Sequence, residues 1–179
     1  MLGRLGLLRP RTVLAGALVT VLIAVVLFLV WPRPAVEEIA GPILDTRFMA
    51  SGTDAAAYLD ALGAEGRRLY TLLAVGDLLW AILHGATVAT MIAVGTHRSS
   101  LDDRWALLAV FALAYLVLDV VENSSILAAL AVHPDPQPVP AIVMDLVTSA
   151  KFVALGVAYL AVVVVLAAWT RARGAPPGR

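Results

Sequence analysis

Apolar residues in this chain gather into four long runs, 12–31, 69–94, 105–132 and 141–169, divided by polar or proline-containing segments. A bilayer core of ~30 Å is crossed by about 20 residues of helix, and each run reaches that length. No ten-residue alternation of the kind a membrane barrel requires is visible. The pattern predicts an all-α fold: an integral membrane four-helix bundle forming a single membrane domain over 1–179. The first run follows Arg4, Arg9 and Arg11, as a signal peptide would. It is longer than the apolar stretch of about 7–15 residues in such peptides, and Trp31-Pro32-Arg33-Pro34 is a poor cleavage context. It reads as a retained anchor.

The connectors differ in character. Segment 32–68 is long, and Ser51-Gly52-Thr53 predicts a helix start with Thr53 as N-cap and Asp54 in the first turn. A short amphipathic helix should pass through Tyr58, Leu59 and Leu62 and end near Gly63 or Gly66. Segment 95–104 reads as a solvated turn with Asp102 and Asp103 opening the third span. Segment 133–140 contains Pro134, Pro136, Pro138 and Pro140, which makes it stiff and extended. Arginines set the orientation. Arg4, Arg9, Arg11, Arg98, Arg104, Arg171, Arg173 and Arg179 share one side of a four-span chain. The other side holds Arg33, Arg47, Arg67 and Arg68 diluted by acids. The positive-inside rule places both termini in the cytoplasm and 32–68 outside an inner or plasma membrane. Trp31, Trp105 and Trp169 fall at span ends, where indole favours the interface.

Composition agrees with this class. Hydrophobic residues make up 61% of the chain and charged residues 15%, against about 25% charged in soluble domains. A formal net charge of zero removes the case for a nucleic-acid partner. Without cysteine there is no thiolate nucleophile, iron–sulfur cluster or Cys-ligated zinc.

The informative residues are the polar ones inside the runs. Lys151 is the only lysine in the chain, and the other twelve basic residues are arginines outside the runs. An ammonium in hydrocarbon costs about 2.5–3.5 kcal/mol on insertion scales, so it needs a partner or a task. Asp77, Asp119, Glu122 and Asp145 also fall within spans. At 1.5 Å per residue, Asp145 lies ~6 Å, Asp77 ~12 Å, Glu122 ~15 Å, Lys151 ~15 Å and Asp119 ~20 Å from the outer ends of their helices. Tyr115, Asp119, Glu122 and Asn123 share one face of the third helix, and Asp145, Thr148 and Lys151 descend one side of the fourth. These positions predict one polar pocket in the outer half of the membrane, open to the outside. It holds four acids against one lysine. Protonation, a bound cation, or Arg67 and Arg68 reaching down from the mouth would relieve the surplus.

A resemblance extends this reading. Leu44-Asp45-Thr46-Arg47, Tyr58-Leu59, Leu62-Gly63-Ala64-Glu65-Gly66-Arg67, Tyr70, Asp77 and Asp119…Glu122-Asn123 resemble a pattern in uncharacterised small four-span bacterial membrane proteins. It covers about 44–155 and transfers no activity. It implies that the outer loop and the buried acids form a single site, with Asp45, Arg67 and Tyr70 at the pocket mouth.

No catalytic residue is assigned. A metal set from Asp77, His84, Glu122 and Asp145 lacks Glu-x-x-His or His-Glu-x-x-His spacing, so no metal site is predicted. His84 is the one histidine within a span, which leaves no bis-histidine haem, and no cofactor is expected. Ser124, Ser125 and Ser149 have no Gly-x-Ser-x-Gly context. Three functional readings remain. One is a non-enzymatic pocket for a small ligand, lipid headgroup or partner subunit. The second is a membrane-embedded enzyme using acid/base carboxylates on lipid. The third is a proton-coupled carrier acting as a homo-oligomer. Against all three stands a plain interhelical polar clamp.

Overall fold

The computed structural model describes residues 10–46, 52–135 and 141–174. Arg4, Arg9, Arg47, Ser51, the 136–140 part of the proline-rich connector and Arg179 lie outside the described residues. Every described element is helical. Helix α1 (Pro10–Ala24) continues as a π-helical stretch, Val25–Val30, in which the Trp31 amide donates to the Val26 carbonyl at 2.9 Å. Helix α2 (Arg33–Ala40) has proline in its first turn, where the missing N–H costs nothing. A 3₁₀ turn, Leu44–Thr46, follows, then α3 (Gly52–Ala61), α4 (Gly63–His97), a 3₁₀ turn at Asp103–Leu108, α5 (Ala109–Val132) and α6 (Ala141–Gly174).

Four stretches are long and apolar enough to cross a membrane: Thr12–Ala40, Gly63–His97, Asp103–Val132 and Val143–Arg173. Their outward faces are greasy. Leu14 is 71% exposed, Leu79 61% and Leu160 69%. A water-soluble fold would bury such residues, so the chain is a multi-pass membrane protein.

Segment 32–68 holds two α-helices where one was expected. The first, α2, escapes periodicity because it is eight residues long and buries only Val36. The second, α3, begins at Gly52, so Thr53 lies within the helix. Tyr58 and Leu59 are buried along one side of it, with Leu62 just beyond its end. Gly63, at φ 61°, reverses the chain in the left-handed region that glycine enters freely. Helix α4 therefore starts six residues before the apolar run. Its 35 residues measure about 52 Å, well beyond the hydrocarbon thickness, and the surplus carries Glu65, Arg67 and Arg68. Asp102 opens the turn before α5, its Oδ1 accepting from the Arg104 amide at 2.8 Å.

Helix α4 touches α1, α2, α5 and α6, and α5 also packs on α6. Two glycines on α4 set the approach. A Cβ at Gly85 would lie 2.8 Å from Leu116 Cβ and 3.1 Å from the Ala112 carbonyl of α5. One at Gly95 would lie 2.2 Å from Val165 Cγ1 of α6. In lipid, such close backbone packing supplies the association that apolar burial cannot.

Two apolar clusters result. One joins Val36, Ile43 and Tyr58 of the α2–α3 region to Tyr70, Leu73 and Ile126. The other joins Val88 and Ile92 to Ala112, Ala158 and Ala161. The α2–α3 region thus forms a cap over one end of α4 and α5. Arg67 ties it down by donating to the Leu59 carbonyl at 2.9 Å, as does His133 Nε2 with Asp60 Oδ1 at 2.8 Å.

Gly95→Ala should destabilise the protein by about 1–3 kcal/mol, because the β-branched Val165 cannot rotate away. Val165→Ala in the same chain should recover most of that loss. Thermal unfolding in detergent of the single and double variants measures both.

Candidate functional site

Between the two apolar clusters lies a polar layer supplied by α4, α5 and α6. Helix α5 contributes Asp119, Glu122 and Asn123, whose spacing of three and four residues puts them on one buried face. Helix α6 contributes Thr148 and Lys151, one turn apart, and α4 contributes Asp77. All six are at most 5% exposed, and Glu122 is 0% exposed.

Lys151 Nζ donates to Asp119 Oδ1 at 2.8 Å and to Glu122 Oε2. Glu122 Oε1 accepts from the Thr148 hydroxyl. Asn123 Nδ2 donates to Asp77 Oδ2 at 3.0 Å and to the Asp119 carbonyl at 3.1 Å. A second Asp119 oxygen lies 3.4 Å from the same nitrogen. The amide thus carries Asp77 into the network, and one connected chain of contacts spans three helices. In a low dielectric such charge-assisted bonds are strong, and each partner is costly to lose.

The structure joins Asp77, Asp119, Glu122, Asn123 and Lys151, while Asp145 stands apart. It is partly buried and forms no hydrogen bond or ion pair among the described residues. Thr148, rather than Asp145, is the neighbour that α6 gives Glu122. Asp77 reaches the network through Asn123 and not by facing Lys151. The expected opening to the outside is closed, because Val36, Ile43 and Tyr58 pack over Tyr70 and Leu73.

The mouth residues behave differently from one another. Arg67 is engaged with the Leu59 carbonyl, and Arg68 forms an exposed pair with Glu65 at 2.8 Å. Neither reaches the acids. Tyr70 is 1% exposed beneath the cap, edge-on to Tyr58 with ring centroids 5.9 Å apart. Asp45 is only partly buried as a residue, yet its Oδ1 is enclosed and has no hydrogen bond among the described residues. Burial raises the Asp45 carboxyl above its ordinary value of 3.8; Lys151 and Arg33 pull it down, and Asp119 pushes it up. The turn that carries Asp45 therefore communicates electrostatically with the polar layer.

A second group lies deeper along α4. His84 Nε2 and Tyr159 Oη are 2.7 Å apart, and the imidazole stacks on Trp80 at 4.4 Å with Tyr115 at its edge. Trp80 Nε1 donates to the Thr20 carbonyl at 3.2 Å, which ties α1 to this set. An uncharged tyrosine in an apolar run does not stand out by sequence, although the place of Tyr159 two turns beyond Lys151 puts it near the same helix face. His84 is thus a hydrogen-bonded core histidine remote from the acids. Among the described residues, no three His, Cys, Asp or Glu side chains form a metal-ligand group. Comparisons with family models, with curated proteins and with solved structures found no match.

Lys151→Met leaves Asp119 and Glu122 buried against each other. It should cost about 3–5 kcal/mol. Adding Asp119→Asn and Glu122→Gln should restore most of the stability, since no uncompensated charge then remains. Unfolding in detergent of the single and triple variants tests this.

Asp45 gives a pH signature. Its folded-state proton is held more tightly than in the unfolded chain, so its stabilising contribution is fully present below pH 3.8. Stability then falls as pH rises from there through the raised folded value. Asp45→Asn abolishes that fall. The wild-type unfolding midpoint should therefore drop relative to the variant across this window, and a rise instead would contradict the burial of Oδ1.

Proposed function

We propose that this chain is a non-enzymatic membrane protein whose polar layer binds a small polar ligand admitted from beneath the cap. In this reading the four spans form a bundle in the inner or plasma membrane, with both termini cytoplasmic and the cap outside. The positive-inside distribution of arginine supports that orientation. The likeness to small four-span bacterial membrane proteins fits the same architecture.

One observation carries the reading: among the described residues, acid under the cap exceeds the cations paired with it. Lys151 is shared between Asp119 and Glu122, and Asp77 receives only the neutral amide of Asn123. Arg67 and Arg68 are occupied elsewhere. A polar clamp requires two or three groups with balanced charge, because surplus buried acid weakens the association it serves. Here Lys151 acts as the countercharge, and Asp119 and Glu122 share protons. Asp77 is the α4 partner that changes its contacts when the ligand arrives. Polar and ionisable residues within a bilayer most often mark such binding or transfer sites.

Native mass spectrometry of the protein released gently from its membrane tests this. A small molecule or lipid headgroup should remain bound to wild type and be lost from Asp77→Asn, with the fold retained in both. A wild-type protein that carries nothing, with Asp77→Asn equally empty and equally folded, would reduce the layer to a clamp. Turnover of a lipid substrate abolished by Asp119→Asn would instead favour an enzyme.

A further inference from the structure

The occupant of the capped end can be specified further, on the premise that the polar layer is a binding site. Two buried polar atoms there have no hydrogen-bond partner among the described residues: Asp45 Oδ1 and Tyr70 Oη. They come from different elements, the 3₁₀ turn Leu44–Thr46 above and α4 below. The Tyr70 hydroxyl feels the charge of Asp45 and lies near the Leu44 backbone. Buried polar atoms are nearly always paired. Two such atoms at the capped end mark a place for hydrogen-bonding groups that the described residues do not supply.

Charge decides what kind of group. Asp45 interacts with Arg33 of α2, with Asp77 of α4, with Asp119 and Glu122 of α5, and with Lys151 of α6. Both cations in that set are taken, Arg33 by Glu37 at 2.9 Å and Lys151 by Asp119 and Glu122. Among the described residues no free cation is left for Asp45, and the group that completes the site is positive and carries N–H donors. We propose that Asp45 Oδ1 and Tyr70 Oη together receive a primary ammonium group, borne by a small free amine or by the ethanolamine headgroup of a lipid. Its N–H bonds satisfy the carboxylate and the phenol oxygen, and Val36, Ile43 and Tyr58 present apolar surface to its carbon substituent. A quaternary ammonium brings the same charge but no donor, and leaves both oxygens unpaired. The only lysine in the chain is already engaged, so a second copy of the chain has no free lysine to offer. The Asp45 carboxylate must be ionised to accept the ammonium. Affinity therefore climbs as pH rises through the Asp45 titration.

The test uses the full chain in phosphatidylcholine nanodiscs, with methylammonium chloride or tetramethylammonium chloride replacing sodium chloride at constant ionic strength. Methylammonium should raise the unfolding midpoint and tetramethylammonium should not. Asp45→Asn should weaken the response by about ten- to hundredfold. Tyr70→Phe, which keeps the ring, should weaken it less and narrow the preference for primary over quaternary amine. It also serves should Asp45→Asn fail to fold. A second arm replaces part of the phosphatidylcholine with phosphatidylethanolamine. Stabilisation there that depends on Asp45, without a response to methylammonium, assigns the lipid headgroup as the source. Equal responses to the two amines, an undiminished response in Asp45→Asn or in Tyr70→Phe, or no response in either arm would overturn the proposal. If native mass spectrometry finds an anionic or neutral molecule in the polar layer, the ammonium assignment fails while the binding reading stands.

Discussion

The chain depends most on the attachment of Lys151 to Asp119 and Glu122. Three ionisable groups are buried together, and each is tolerable only because the others are present. Their positions leave little freedom. Asp119 and Glu122 are one turn apart on α5, and Lys151 must sit opposite that turn on α6. Thr148 completes the coordination of Glu122 from one turn away. The register of α5 against α6 is therefore chosen by polar chemistry in a region where apolar side chains would accept several registers. Buried polar pairs can act as register devices of this kind.

Close packing of α4 makes that register structurally consequential. Gly85 and Gly95 let α5 and α6 approach its backbone, which brings Asp77 within reach of Asn123. Without that approach the α4 acid would lie outside the network. The apolar clusters above and below keep the layer dry and strengthen its electrostatics. The cap contributes a further element, because the Asp45 turn extends the field of the site beyond the membrane-spanning helices.

Much of this was legible in the residues. Long apolar runs revealed four spans because hydrocarbon thickness imposes a length that few other folds require. Lys151 and the α5 acids stood out because charge is rare in such runs and helical spacing assigned them one face. Other features were not legible. Asp145 shares a side of α6 with Lys151 in projection, yet it lies nearly two turns closer to the end of the helix, where none of the described residues pairs with it. Helix α2 is too short for periodicity to detect. The cap closed a pocket expected to be open because its packing depends on contacts between distant segments, such as Val36 with Tyr70. Arg67 looked free to reach the acids, but a backbone carbonyl created by the α3–α4 turn holds it. Tyr159 with His84 likewise required the crossing of α4 and α6.

The pairing of Lys151 with Glu122 joins residues 29 positions apart, and this has a consequence for biogenesis. The acids of α5 leave the ribosome before the lysine that neutralises them. A lone span bearing Asp119 and Glu122 partitions less readily into lipid than a fully apolar one, and so does a lone span bearing Lys151. Together, as a hairpin closed through Val132 and Ala141, the two cancel most of each other's charge. Entry of α5 and α6 into the bilayer is therefore more favourable as a pair than one helix at a time.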